Sequence, residues 1–157
     1  MINATTELAI RWLVFLAMEN RGEPVSPKRG AEALACSPSY LAKTSNILVK
    51  AGILQSTRGI RGGVLLAKNP EDITLLEIVE ATEGLLTAAF CQEVDKEEEI
   101  CSFHQAMKEL HESVTGLLSG WTLQRILERP ARCPEIGESR CKMFFKDCSK
   151  LQNTKPW

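Results

Sequence analysis

The stretch Ala35-Cys-Ser-Pro-Ser-Tyr-Leu-Ala-Lys-Thr-Ser-Asn-Ile-Leu-Val-Lys-Ala-Gly52 decides how the first half of this chain folds. Ser37 is placed to cap a helix, and Pro38 follows at the first helical position, where its missing N–H is harmless and its fixed φ suits the helix. Leu41, Ile47 and Leu48 share the inward side, and Gly52 stands where the helix must end in a left-handed residue. The remaining side carries Ser37, Ser39, Tyr40, Lys43, Thr44 and Asn46. These are short polar, amide and ammonium groups of the kind that reach phosphates and base edges in a major groove.

Immediately upstream, Ser26 and Pro27 repeat the same start signal, and Ala31, Leu34 and Ala35 line the inner side of a short helix running to about residue 35. Two helices joined by so short a turn make a helix-turn-helix. Cys36 sits in that turn as a small packed residue. Further upstream, Leu8, Ala9, Trp12, Leu13, Leu16 and Ala17 recur at helical spacing and predict a first helix over residues 5–20, with Thr5 or Thr6 as its cap. Downstream, Ile53–Thr57 and Val64–Ala67 are short apolar strands flanking Arg58-Gly-Ile-Arg-Gly-Gly63. Strand, slim glycine tip and strand predict a β-hairpin wing. Arg58, Gly59 and Arg61 would form its tip, with guanidinium groups suited to the negative potential of a minor groove.

The second half has a different chemistry. Thr74 caps a helix with Leu75, Ile78, Val79 and Ala81 on its apolar side, stopped by Gly84. Cys91 follows, then an acidic stretch from Glu93 to Glu99, then Cys101-Ser-Phe-His104. From Phe103 the apolar residues Met107, Leu110, Val114 and Leu117 continue at 4-3-4-3 spacing, which fits a helix packing against a partner helix and equally an ordinary amphipathic core helix. The remaining three cysteines, Cys133, Cys141 and Cys148, lie in a tail with seven and six intervening residues, unlike a Cys-x-x-Cys knuckle. They supply missing ligands, build a second centre, or are incidental thiols in a basic tail. Three segments are therefore expected: a winged-helix domain at 1–72, a cysteine-bearing loop with dimerisation helices at 73–128, and a cysteine-containing basic tail at 129–157.

Charge follows the same division. Residues 1–68 carry nine Lys/Arg against four Asp/Glu, a net +5; residues 69–112 carry two against twelve, a net −10; residues 113–157 carry eight against four, a net +4. A basic head suits a polyanion, although the whole chain has a formal charge of only −1. No apolar run approaches the roughly 18 residues of a membrane span, and no basic stretch leads into an apolar one as in a secretion signal. A cytoplasmic location without membrane association is expected. Six cysteines in a reducing compartment point to metal or redox chemistry rather than to disulfide scaffolding. No nucleophile–base pair, phosphate loop or catalytic metal motif is present, so an enzyme is not expected.

Together, Ser37-Pro-Ser-Tyr-Leu41, Leu48-Val-Lys-Ala-Gly52, the Arg58–Gly63 tip, Leu66-Ala-Lys-Asn-Pro70 and Ile78-Val-Glu-Ala81 resemble the iron–sulfur-sensing winged-helix repressors typified by IscR and NsrR, over residues 5–128. The resemblance implies a mainly α fold with a small β-wing, a winged helix-turn-helix plus a long dimerisation helix, acting as a homodimer on a double-stranded DNA operator. It also implies a 2Fe–2S or 4Fe–4S cluster held by Cys91, Cys101 and His104, with Glu7 of the partner subunit as a further ligand. The chain departs from the family in lacking its middle loop cysteine, where glutamates stand, and in placing Val64 where an aromatic is common. Zinc or no metal are the alternatives for the centre. A thiol-based or zinc-stabilised regulator, or a cluster carrier or adaptor that does not bind DNA, are the alternatives for the function.

Overall fold

The computed structural model describes residues 2–19, 22–59, 62–86 and 101–128. Helix α1 (Ala4–Glu19) is followed by α2 (Pro27–Leu34), α3 (Pro38–Lys50), the hairpin β1 (Leu54–Thr57) and β2 (Gly63–Leu66), a 3-10 turn at Pro70–Asp72, α4 (Leu75–Glu83), the long α5 (Ser102–Gly120) and the short α6 (Leu123–Leu127). Mostly helical, with one small antiparallel hairpin, this is the expected fold class.

α1 is the axle of the structure. Its predicted inward residues Leu8, Ala9, Trp12, Leu13, Leu16 and Ala17 are all buried, and so are Thr6, Val14 and Phe15. A helix covered on nearly every side lies inside its domain rather than on its surface, and α2, α3, α4, α6 and β2 all touch it. Trp12 lies at the centre. Its indole N–H donates to Ser45 Oγ at 3.0 Å, and Ser45 returns its own proton to Leu41 O at 2.8 Å. The same ring lies against Gly30 of α2 so closely that a Cβ there would sit 2.2 Å from Trp12 Cζ3. Ile73, Ile78 and Leu123 belong to this one core cluster.

Helix ends follow local chemistry, with three corrections. Ala35, expected on the inner side of α2, is exposed and ends that helix in left-handed backbone at φ +53°. The cap of α1 is Asn3, whose Oδ1 accepts from the backbone N–H of Thr5 (2.8 Å) and Thr6 (2.9 Å); the threonines are already helical. Ser37 has the extended backbone of a cap, but its hydroxyl bonds Ser39 Oγ at 2.8 Å instead of a backbone N–H. The Ser26, Thr74 and Gly52 signals act as expected, and Glu77 adds a reciprocal partner to Thr74 that sequence reasoning missed. Ser26 accepts from Arg29 N, and Thr74 and Glu77 form a reciprocal capping box. Gly52 adopts φ +71° just past α3.

β1 and β2 pair antiparallel from Leu54–Leu66 to Thr57–Gly63. A third element joins them: Val25, in the α1–α2 connection, exchanges both backbone hydrogen bonds with Val64 at 2.9 Å. Gly63 makes this approach possible, because a Cβ there would lie 2.5 Å from the Val25 carbonyl group.

Candidate nucleic-acid interface and cysteine site

The outward side of α3 is a single stripe. Ser39, Lys43, Asn46 and Lys50 are exposed at spacings of four, three and four, while Leu41, Thr44, Ser45 and Leu48 are buried on the opposite side. Ser37 is exposed at the head of the helix, and Tyr40 is 36% exposed at the stripe's edge, its hydroxyl hydrogen-bonded to Thr5 Oγ1 at 2.9 Å. Thr44 departs from expectation. It has no accessible surface and donates its hydroxyl to Tyr40 O at 3.0 Å, one turn back. Its methyl and back-bonded hydroxyl make it a core residue, so it is removed from the outward set. Lys50 was missed by sequence reasoning; extending the Ser39–Lys43–Asn46 spacing by one turn would have found it.

At the wing, Arg58 and Gly59 are exposed directly after β1. Gly59 has φ +116°, a backbone that side chains rarely adopt, and its carbonyl accepts from Gly62 N–H at 2.9 Å. A Cβ on Gly62 would lie 2.6 Å from Thr57 O. The glycine spacing is thus a steric requirement of a tip this narrow. Arg61 lies outside the described residues.

Cys101 is exposed at the cap position of α5, and its Sγ is 2.9 Å from His104 Nδ1, one turn into the helix. The i, i+3 spacing places both donors on one side of the first turn. Cys91, Cys133, Cys141 and Cys148 lie outside the described residues. Among the described residues no group of three or more His, Cys, Asp or Glu side chains is placed to hold a metal ion. Glu7 is half-buried in the first turn of α1. Cys36 is partly buried against the core; burial pushes its thiol up, with the Arg11 guanidinium acting in the opposite sense, which makes it a poor source of thiolate.

Along α5 the predicted seam is open. Phe103, Leu110, Val114 and Leu117 are 65, 54, 39 and 62% exposed, and the buried residue of this helix is Leu118, on another side.

The sequence profile of the Rrf2 family, described as iron-dependent transcriptional regulators, matches residues 2–129. The chain belongs to the Rrf2 family. Similar proteins include the HTH-type transcriptional regulator NsrR of Geobacillus kaustophilus, 32% identical over 139 residues that cover 86% of this chain and 95% of that one. NsrR of Shouchella clausii is 30% identical over 120 residues, covering 74% and 79%. Among solved structures, CymR, the global cysteine regulator of B. subtilis, superposes with a TM-score of 0.68 at 25% identity, covering 82% of this chain and 96% of that one. IscR of T. potens gives 0.64 at 25% identity, covering 82% and 86%. This Rrf2 protein is therefore a winged-helix transcriptional regulator of the DNA-binding type, and the relatives it matches are regulators rather than enzymes. Among the described residues no helix is long and apolar enough to cross a membrane.

Proposed function

We propose that this Rrf2 protein is a homodimeric repressor that senses iron–sulfur, redox or nitrosative state through a cysteine-ligated centre. The observation that carries the sensing half is the contact of Cys101 Sγ with His104 Nδ1 at 2.9 Å, exposed at the start of the helix whose apolar seam is open. A thiolate and an imidazole are a donor set suited to an iron–sulfur cluster or zinc. They fit two positions of such a centre. Cys91 would supply a third, and Glu7 of a second copy or the tail cysteines Cys133, Cys141 and Cys148 the remainder. When bound, a cluster supplies a reversible response to oxidants or nitric oxide; the chain's own contribution is to hold the two ends of the Cys91–Cys101 segment in one arrangement.

The open stripe of Phe103, Met107, Leu110, Val114 and Leu117 supports association of two α5 helices. At 19 residues, and 1.5 Å per residue, α5 gives a contact of about 28 Å. Two heads on such an axis would place their α3 helices in successive major grooves of a near-palindromic operator, about 34 Å apart. Ser37, Ser39, Lys43, Asn46 and Lys50 would face the groove, with Arg58, Gly59 and Arg61 of each wing at the adjacent minor groove. Loss of the centre changes the spacing of the heads and thereby the affinity.

The test is an absorption spectrum with iron, sulfide and zinc analysis on full-length protein purified without oxygen, together with Cys101→Ser. Stoichiometric iron and sulfide, with visible bands lost in the variant, is the expected result. Colourless protein holding zinc, or no metal, would replace the cluster by a zinc-stabilised or thiol-based switch at the same pair.

A further inference from the structure

The first turn of α1 is tied at once to the end of α4 and to the beginning of the recognition helix. On one side, Glu83, the last residue of α4, accepts at Oε1 from the backbone N–H of Asn3 (2.8 Å) and from the hydroxyl of Thr6 (2.7 Å). Thr6 has no accessible surface, and its Oγ1 is also 2.7 Å from Thr82 Oγ1. Thr6 has one proton to give. The carboxylate is the strongest acceptor within reach, so that proton belongs to Glu83 while Thr82 serves as donor to Thr6 or to Ile78 O, 2.9 Å away. On the other side, the hydroxyl of Thr5, the next residue along the same turn, is bonded to that of Tyr40. Asn3 Oδ1 joins the two sides by capping both Thr5 and Thr6.

We infer that Glu83, Thr6, Asn3, Thr5 and Tyr40 form a clasp that sets the position of α3 from the end of α4. Tyr40 is then a positioning residue for DNA binding, not a reader of bases. The inference deepens the DNA-binding reading and rests on it, because the clasp matters only if α3 is the recognition element. Its reach is plain from the chain: Glu83 stands eight residues before Cys91, and Tyr40 in the first turn of α3. A strain on the segment that follows α4 pulls first on Glu83, and the pull is handed through one buried hydroxyl and one helix turn to the recognition helix. Hydrogen bonds weaken steeply away from their preferred geometry, so each link of the clasp responds to a small displacement at either end.

The experiment uses the full-length protein and a duplex enriched by it from a random-sequence library. Tyr40→Phe and Thr5→Val each remove one hydroxyl with little change of shape. Each is expected to weaken binding about three- to tenfold, the value of one neutral hydrogen bond. The double variant should be no weaker than either single one, and Thr5→Ser should restore wild-type affinity. If Tyr40→Phe weakens binding while Thr5→Val does not, Tyr40 acts on DNA directly and the clasp is wrong. Glu83→Ala is read without DNA: amide exchange should rise at Leu41–Thr44 of α3 and stay unchanged at Ile53 and Leu54. Equal exchange at Leu41–Thr44 would overturn the inference. Failure of the wild-type protein to enrich any duplex would instead sink the DNA-binding reading itself, and the inference with it.

Discussion

Trp12 and Ser45 are joined through the centre of the molecule, an indole N–H of α1 on a hydroxyl of α3, both residues buried. The bond fixes the rotation of α3 about its own axis relative to α1, because Ser45 also bonds Leu41 O and cannot turn away. Ser45→Ala leaves the buried indole donor without a partner and should destabilise the protein by about 1–3 kcal/mol. Trp12→Phe combined with Ser45→Ala should cost less than the two losses added, since no orphan remains. Urea unfolding of the four proteins gives the cycle; strict additivity would show that the bond contributes nothing.

Gly30→Ala puts two effects of opposite sign in competition. Alanine is better than glycine in a helix by about 1 kcal/mol. Against this, the new methyl would meet Trp12 Cζ3 at 2.2 Å and Leu41 Cδ2 at 2.9 Å. The rigid ring cannot turn away without losing its bond to Ser45, and overpacking of this kind costs about 1–3 kcal/mol. A lower melting temperature is expected, and a higher one would refute the packing described.

Acid should loosen the molecule partly through Glu83. The hydrogen bonds from Thr6 and the Asn3 N–H hold its carboxyl below the usual carboxylate range. A group with a depressed folded pKa contributes stability above its unfolded value, near 4.5, and that contribution is lost as pH falls through the folded value. Glu83→Gln should therefore show a shallower loss of stability below pH 4.5 than the wild type, with the difference vanishing at still lower pH. Parallel acid limbs for the two proteins would contradict the bonding at Glu83.

Lys50 and Arg58 lie at the two ends of the proposed DNA face. Replacing Lys50 by Ala should weaken binding evenly across sequences and lower the slope of log affinity against log salt by about one, as expected for a lost phosphate contact. Arg58→Ala should weaken binding and relax preference for A·T steps beside the major-groove site. Fluorescence anisotropy at several salt concentrations separates the two; an unchanged slope for Lys50→Ala would remove that residue from the interface.

The open seam makes a prediction about assembly. Leu110→Glu and Leu117→Glu alter side chains that are exposed in the single chain, so the helical content of each variant should match the wild type. Light scattering should nevertheless report a monomer where the wild type is a dimer, and operator affinity should fall by at least tenfold through loss of the second head. A wild-type monomer would end the paired-helix proposal.

Much of this was legible because local signals agreed with one another. Ser26-Pro27, Thr74 and Gly52 acted where the sequence placed them, since caps and left-handed stops depend on two or three neighbouring atoms. The wing was legible for a related reason: Gly59 and Gly62 answer to backbone geometry inside a single hairpin, whereas Gly63 answers to Val25, far back in the chain. What escaped was decided by contacts far apart in sequence. Thr44 is polar and two residues from a solvent-facing neighbour at Asn46, yet the packing of α3 against the rest of the chain leaves it no accessible surface, with its hydroxyl on a carbonyl one turn back. Asn3 took the cap from Thr5 and Thr6 because both threonines are engaged sideways, one by Tyr40 and one by Glu83, and neither engagement leaves a trace in a linear reading. The seam on α5 could be read as core or as interface from its spacing, and the exposure of Phe103, Leu110 and Leu117 is what distinguishes them in the folded chain.

The division of α3 has an evolutionary consequence. Leu41, Thr44, Ser45 and Leu48 answer to the core, while Ser39, Lys43, Asn46 and Lys50 answer to nothing within the chain's interior. Selection on folding therefore leaves the second set free. On the proposed reading, in which those four positions face DNA, a daughter regulator arising by gene duplication would acquire a new operator by point changes there without passing through an unstable ancestor, and two copies in one cell would diverge in what they read while keeping the same scaffold.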